Sequence, residues 1–187
     1  SSYAHAHESS KSRFTHCLTN RLKNKGDEMQ YKLTLLSMGG SEVPGPELFW
    51  MGQWDNWFRL QFQVGLIQGN GITALVNTGP AKDLGPMNEG WVAFLGERVK
   101  FERKEGEFIL DQLAKQGVKP EDITHIFLTP LQLYSVSNVL AFPNAKIHIS
   151  KRGWIHFHTT HKHPHDGRDT SIPPQILAEL VGKSWDR

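Results

Sequence analysis

The sequence predicts an α/β fold in which helices cover one face of a sheet. Two observations support this prediction: paired strands come first along the chain, and the later strands are separated by helical segments. The predicted order is a strand, a β-hairpin, two helices, two strands and a final helix.

Residues 31–38 alternate and are rich in leucine, which predicts a first strand that a Gly-Gly pair ends. Residues 41–57 contain two prolines and three tryptophans, so we expect a long ordered loop. The aromatic side chains are expected to fill this loop as plugs, although they could also line a pocket or an interface. The tryptophans are Trp50, Trp54 and Trp57.

A β-hairpin is predicted where two apolar runs, residues 59–68 and 72–77, flank a glycine and the pair Asn70-Gly71. A two-residue hairpin turn requires positive φ, a conformation that asparagine and glycine adopt readily. The hairpin therefore follows from the chemistry of its turn.

The remaining elements follow from apolar periodicity and from the position of proline. Residues 89–101 and 105–116 are predicted helices, and residues 124–128 and 145–150 are predicted strands. Residues 173–181 form a short amphipathic pattern with two prolines at its start, which is typical of the first turn of a helix.

Composition excludes several classes of function. The 187 residues include 21 lysines and arginines and 19 aspartates and glutamates. The sequence contains no basic stripe, so nucleic-acid binding is not predicted. The single cysteine, Cys17, excludes an internal disulfide and is typical of a reducing, cytoplasmic environment. No apolar run is long enough to predict a membrane span.

A change in composition near residue 30 divides the chain into two parts. Residues 1–30 are polar and rich in serine, lysine and histidine, and are interpreted as a flexible leader or tag-like tail that contains His5 and His7. Residues 31–187 are interpreted as the folded domain.

Four segments along the domain share a family resemblance. Residues 74–80 (ALVNTGP), 117–126 (GVKPEDITHI), 142–147 (FPNAKI) and 151–154 (KRGW) are similar, in this order, to segments of metallo-β-lactamase-fold hydrolases, especially the lactonase-like branch. The resemblance covers about residues 31–154. It implies an αβ/βα metallo-β-lactamase-like sandwich of two similar halves, of which this chain holds mainly the first.

The metal motif of that family is replaced here. In the family an apolar strand ends in threonine, and the ligands of an H-x-H-x-D-H motif follow at once. After Thr129, the ligand positions hold Pro130, Gln132, Tyr134 and Ser135, which are poor ligands for a transition metal. Asn77 also stands where the family has an aspartate that supports the metal site.

A histidine-rich segment is the remaining candidate for metal binding. Histidine is a common ligand of zinc and other divalent transition metals, and three neutral imidazoles with one water would form a catalytic type of site. The alternative interpretation is a polar surface loop without a function. The candidate ligands are His156, His158, His161, His163 and His165.

Two residues of the replaced motif are candidates for the pocket. Tyr134 could donate a hydrogen bond to a developing oxyanion, and Gln132 could orient a substrate. The alternative is that both fill the vacated pocket and bond to backbone. Ser135 has no partner for a nucleophilic role, and His125 is expected to be structural.

Three hypotheses of function follow. The first is a non-catalytic subunit or binding module, completed by a partner chain or by a second copy in a homo-oligomer. The second is a metal-dependent hydrolase of lactones or esters that uses a relocated site drawing on His156, His158 and His161. The third is that residues 31–187 are an incomplete view of a longer domain. A small-molecule substrate is expected, without nucleic acid or membrane as partner.

Overall fold

One five-stranded sheet organises the domain. A computed structural model describes residues 30–159, 172 and 174–182. The strands are β1 (Lys32–Pro44), β2 (Trp57–Gly69), β3 (Ile72–Val76), β4 (His125–Leu128) and β5 (Lys146–Ile149). They are neighbours in sequence order, with β1, β2 and β3 antiparallel and with β3, β4 and β5 parallel.

The helices lie between and after these strands. They are α1 (Gly45–Leu48), α2 (Gly85–Leu95), α3 (Ile109–Lys115), α4 (Leu133–Val136), α5 (Lys151–Thr159) and α6 (Pro174–Gly182). The parallel strands require crossover connections, and α2 and α3 lie in the connection from β3 to β4. The α/β class predicted from the sequence is confirmed.

The first strand continues past the glycine pair that was expected to end it. β1 shifts register between Ser37 and Gly39 and then continues to Pro44. Gly39 has a φ of 106°, and a β-carbon there would collide with the carbonyl of Glu102, which pairs with Gly40. The glycines therefore form a β-bulge rather than a strand end.

The loop that was expected to contain aromatic plugs is also different. Its first residues belong to β1 and α1, and Trp50 is 92% exposed. Trp54 is also exposed, although its indole N–H donates to the Met51 carbonyl at 3.0 Å. Only Trp57, which begins β2 beneath the Arg98 guanidinium, is partly buried.

The hairpin prediction is confirmed in detail. β2 and β3 are joined by Asn70 and Gly71 alone, with φ values of 49° and 76°. Two consecutive positive φ values are the signature of the turn whose twist matches that of the flanking strands.

The predicted helix boundaries need three corrections. α2 begins early, at Gly85, and ends before Gly96, which has a φ of 86°. α3 begins late, because the Glu107 carboxylate accepts from the Lys104 N–H (2.8 Å) and holds the preceding residues in a turn. α5 begins where no helix was predicted, and the Ser150 hydroxyl caps it by accepting from the amide of the third residue after it.

The helices cover one face of the sheet, as predicted. Buried side chains of the strands pack there against apolar residues of α3, α5 and α6, and each fully buried Leu or Ile contributes about 1.5–3 kcal/mol. The core includes Leu36, Val64, Leu66, Leu75, Ile126, Ile109, Leu113, Phe157, Ile176 and Leu180. Among the described helices, none has the length and apolar character needed to cross a membrane.

The opposite face of the sheet is open within the described residues. Leu35 is 60% exposed, and Leu33 and Phe127 are also exposed. The His148 ring stacks between His125 and Phe127, with centroid distances of 5.3 Å and 4.6 Å. His125 also contacts the Thr124 hydroxyl at 2.9 Å, in agreement with a structural role.

Candidate functional site

The candidate site lies where two parallel strands end side by side. Val76, the last residue of β3, pairs with Phe127 of β4, so the residues after both strands meet at one edge of the sheet. The Asn77 N–H donates to the Phe127 carbonyl at 2.8 Å. Ligand sites of parallel sheets lie outside such carboxyl ends.

Asn77 joins the two strand ends through its amide side chain. Its Oδ1 accepts from the Thr129 N–H at 2.8 Å, and its Nδ2 donates to the Thr129 carbonyl at 2.7 Å. These two partners fix the orientation of the amide. Asn77 has a φ of 66°, a left-handed conformation that asparagine tolerates better than most residues.

This geometry explains why asparagine rather than aspartate suits position 77. A carboxylate could accept from the Thr129 N–H but could not donate to the Thr129 carbonyl. Both polar atoms of the Asn77 amide are used by backbone, so the side chain acts as a clamp between strand ends.

A second network holds the turn that follows Asn77. The Thr78 N–H and hydroxyl both donate to the Ser135 carbonyl, at 2.7 Å and 2.9 Å. The Nδ2 group of Asn138 lies 2.8, 3.1 and 2.9 Å from the carbonyl oxygens of Thr78, Gly79 and Pro80. Sequence reasoning missed Asn138, because nothing in its neighbours along the chain marks it as buried.

A cleft opens beside this turn. Its volume is about 210 Å³, below the roughly 300 Å³ at which pockets for drug-sized ligands begin. The cleft therefore suits a small chemical group. Its lining residues are Met38, Leu60, Gln61, Phe62, Gln63, Asn77, Gly79, Pro130, Tyr134 and Ser135.

Tyr134 is the polar residue best held in the cleft. Its ring packs edge-on against Phe62 (5.0 Å between centroids) and Trp91 (6.0 Å), and Phe62 packs in turn on Phe101. Burial raises the pKa of Tyr134 above its usual value. The phenol therefore stays protonated at neutral and moderately alkaline pH and can act as a hydrogen-bond donor.

The other predicted pocket residue is placed differently. Gln132 precedes α4, and its backbone carbonyl accepts from the amides of Ser135 and Val136, at 2.8 Å and 3.1 Å. Gln132 is not among the residues that line the cleft. The Ser135 side chain is buried, and the residue contributes mainly its carbonyl to the turn network.

The histidine candidates are only partly described. His156 and His158 belong to α5, whereas His161, His163 and His165 lie outside the described residues. The exposed His158 ring packs edge-on against Trp154 and Phe157, at 4.3 Å and 5.1 Å. Positions 156 and 158 are about 200° apart around a helix.

The described residues do not fit a metal at the strand ends. No group of three histidine, cysteine, aspartate or glutamate side chains is positioned there, or elsewhere in the described part of the chain, to hold an ion. The motif loop offers proline, glutamine, tyrosine and serine, which are not the imidazole and carboxylate ligands of a catalytic zinc site.

Solved structures identify the fold. A structure of an N-acyl homoserine lactone hydrolase, with the product N-hexanoyl-L-homoserine at its catalytic metal centre, aligns with a TM-score of 0.59 and 19% identity over 76% of this chain and 56% of its own. A probable metal-dependent hydrolase from Staphylococcus aureus aligns with a TM-score of 0.59 and 15% identity over 78% and 55%. No protein-family model matches the sequence, and no curated protein matches it.

A third neighbour covers more of the chain. AidC, a dizinc quorum-quenching lactonase in complex with its product, aligns with a TM-score of 0.56 and 21% identity over 92% of this chain and 63% of its own. The metallo-β-lactamase-like fold that the sequence resemblance implied is confirmed. The chain spans 55 to 63% of the length of these three structures.

Proposed function

We propose that this chain acts on small lactones or esters as a metal-dependent hydrolase whose metal ligands lie outside the motif loop. The observation that carries the proposal is the structural similarity to lactone hydrolases, combined with a cleft at the carboxyl ends of β3 and β4.

The histidine segment would supply the metal ligands. β5 is parallel to β3 and β4, so α5, which follows it, begins at the same edge of the sheet as Asn77 and Thr129. The sequence from His156 to His165, which begins within α5, contains five imidazoles. Zinc or another divalent transition metal held by three of them would supply a water activated near neutral pH.

A second candidate function is ligand binding without catalysis. It is favoured by one specific observation, the use of both Asn77 amide atoms by the Thr129 backbone next to a loop without metal ligands. In that case the chain would be a subunit or binding module that acts together with a partner chain or a second copy.

Metal content and lactone hydrolysis, measured together on the full chain, separate the two functions. The hydrolase proposal predicts about one equivalent of tightly held zinc, iron or manganese and opening of N-hexanoyl homoserine lactone. His158→Ala should then abolish both metal and activity. A His5→Ala/His7→Ala variant is the matched control, because it removes two histidines from the leader only.

Two results would contradict the hydrolase proposal. Folded protein that is free of metal and does not open the lactone would reject the hydrolase and support the binding module. Unchanged metal content in His158→Ala, with activity retained, would show that the metal lies elsewhere.

A further inference from the structure

The cleft has an uncharged lining. None of the ten residues that line it carries a charge. Its walls are apolar groups such as Met38 and Phe62, and its polar groups are amides and hydroxyls. A ligand in this cleft meets hydrogen-bonding groups without meeting a cation.

The polar groups of the lining divide into two kinds. The Asn77 amide is used fully by Thr129. In contrast, the side chains of Gln61, Gln63 and Tyr134 make no hydrogen bond to any described residue, and none of the three has an interaction of another kind that would occupy its polar atoms. These three side chains are therefore available to a ligand.

Tyr134 combines availability with a fixed position. Its ring is held by Phe62 and Trp91, so the hydroxyl loses little conformational freedom when it binds a ligand. Gln61 and Gln63 are exposed at the rim and can adjust to the rest of the ligand. The arrangement is one rigid donor at the cleft with adaptable amides around it.

We infer that the cleft binds the neutral, ring-closed form of a lactone in preference to its ring-opened carboxylate, with the Tyr134 hydroxyl donating to the ligand carbonyl. The lactone class rests on the proposed function, whereas the preference for a neutral ligand rests on the lining of the cleft. In the lactone hydrolase neighbour the product is bound at a catalytic metal centre, whereas the lining of this cleft offers no cation.

The preference has a simple physical cause. A carboxylate that enters the cleft loses part of its hydration and finds no positive charge in compensation. A lactone carbonyl loses much less hydration and gains one neutral hydrogen bond from the phenol.

The test uses the full chain in buffer that contains EDTA, so that binding is measured without metal and without turnover. N-hexanoyl homoserine lactone and ring-opened N-hexanoyl homoserine are titrated separately by calorimetry at mildly acidic pH, where the ring opens slowly. We expect the lactone to bind about tenfold more tightly than the acid, which corresponds to about 1.4 kcal/mol.

Two substitutions test the residues. Tyr134→Phe keeps the ring and removes the donor, so lactone binding should weaken about fivefold while binding of the acid is unchanged. Tyr31→Phe, outside the cleft, is the matched control and should change neither. Gln63→Lys places a cation at the rim, and it should shift the preference toward the acid.

Equal or tighter binding of the acid to the unmodified chain would overturn the inference, as would unchanged lactone binding in Tyr134→Phe or failure of the lactone to bind. The proposed function fails separately. Selective lactone binding without hydrolysis in metal-containing buffer would leave the inference standing and reject the hydrolase. Hydrolysis without a preference for the lactone in binding would support the hydrolase and reject the inference.

Discussion

The turn at Thr78–Pro80 and the cleft beside it use their polar atoms in opposite ways. In the turn, the amides of Asn77 and Asn138 and the Thr78 hydroxyl are all bonded to backbone. In the cleft, the Tyr134 hydroxyl has no partner among the described residues. Saturated polar groups indicate a structural role, whereas a held but unpaired donor indicates binding.

The contrast also changes how the replaced motif is understood. If the metal ligands had simply been lost, we would expect no specific contacts to replace them. Here the strand ends are closed by a specific amide clamp and the adjacent loop is anchored by a buried asparagine. Hydrogen bonds between described residues hold this region together, and the following substitutions test whether its stability resides in the clamp or in the anchor.

Removal of the anchor should have the largest effect. Asn138→Ala removes the amide that contacts three backbone carbonyls and leaves them buried without that donor. We expect the free energy of unfolding to fall by about 2–4 kcal/mol, measured by urea denaturation. A loss below 1 kcal/mol would show that water replaces the amide and that the anchor is dispensable.

Asn144→Ala is the matched control for this experiment. Its Nδ2 also donates to a backbone carbonyl, that of Glu121 at 3.0 Å, but the bond is exposed. Because water can take over that carbonyl, the expected loss is at most about 1 kcal/mol. Equal losses in the two variants would contradict the assignment of a special role to burial.

Conversion of the clamp should have an intermediate effect. Asn77→Asp keeps the acceptor for the Thr129 N–H and places a carboxylate oxygen against the Thr129 carbonyl, where the amide now donates. We expect a loss of about 1 kcal/mol at neutral pH, because a good bond becomes a repulsive contact that is exposed and therefore partly screened by water.

The pH dependence of that variant gives the sharper result. Repulsion by the carbonyl raises the pKa of the introduced aspartate in the folded state, so the protonated form can again donate. The deficit relative to the parent chain should therefore shrink as the pH falls toward the ordinary range for aspartate, about 4. A deficit that is constant with pH would mean that the carboxylate turns away from Thr129.

The sequence predicted the elements whose determinants are local. The Asn70-Gly71 turn fixes the hairpin through its own backbone preferences, and short apolar runs mark β4 and β5. The β-bulge at Gly39 was missed, because its cause is the approach of Glu102, which lies far along the chain. Helix starts were also displaced where a side chain such as Glu107 holds a turn.

The same reasoning applies to the site. Position 77 was singled out by resemblance, but its partner Thr129 and the reason for an amide emerged only from the pairing of β3 with β4. The anchoring role of Asn138 could not be predicted from the sequence, because the carbonyls that its amide contacts lie about 60 residues earlier in the chain. Tyr134 lines the cleft, whereas Gln132 has its defined contacts through backbone, and the roles expected of both from the sequence stay predictions.

The smallest effect on stability is expected at the residue that matters most for binding. Tyr134→Phe keeps the edge-on contacts with Phe62 and Trp91 and removes a hydroxyl without a partner among the described residues. The free energy of unfolding at neutral pH should change by less than about 0.5 kcal/mol. A larger loss would show that the hydroxyl has a structural bond and is not free for a ligand.

The Tyr134 hydroxyl should also affect how stability depends on pH in the alkaline range. Burial raises the pKa of Tyr134 in the folded chain above its ordinary value of 10.0. As the pH rises past that value, the unfolded chain releases the phenolic proton while the folded chain retains it, so stability falls. Tyr134→Phe lacks this loss, and its stability should exceed that of the parent only above the ordinary tyrosine pKa. The ultraviolet phenolate difference spectrum between the two proteins measures the titration directly, and a midpoint at the ordinary pKa would show that the cleft does not shield the phenol from water.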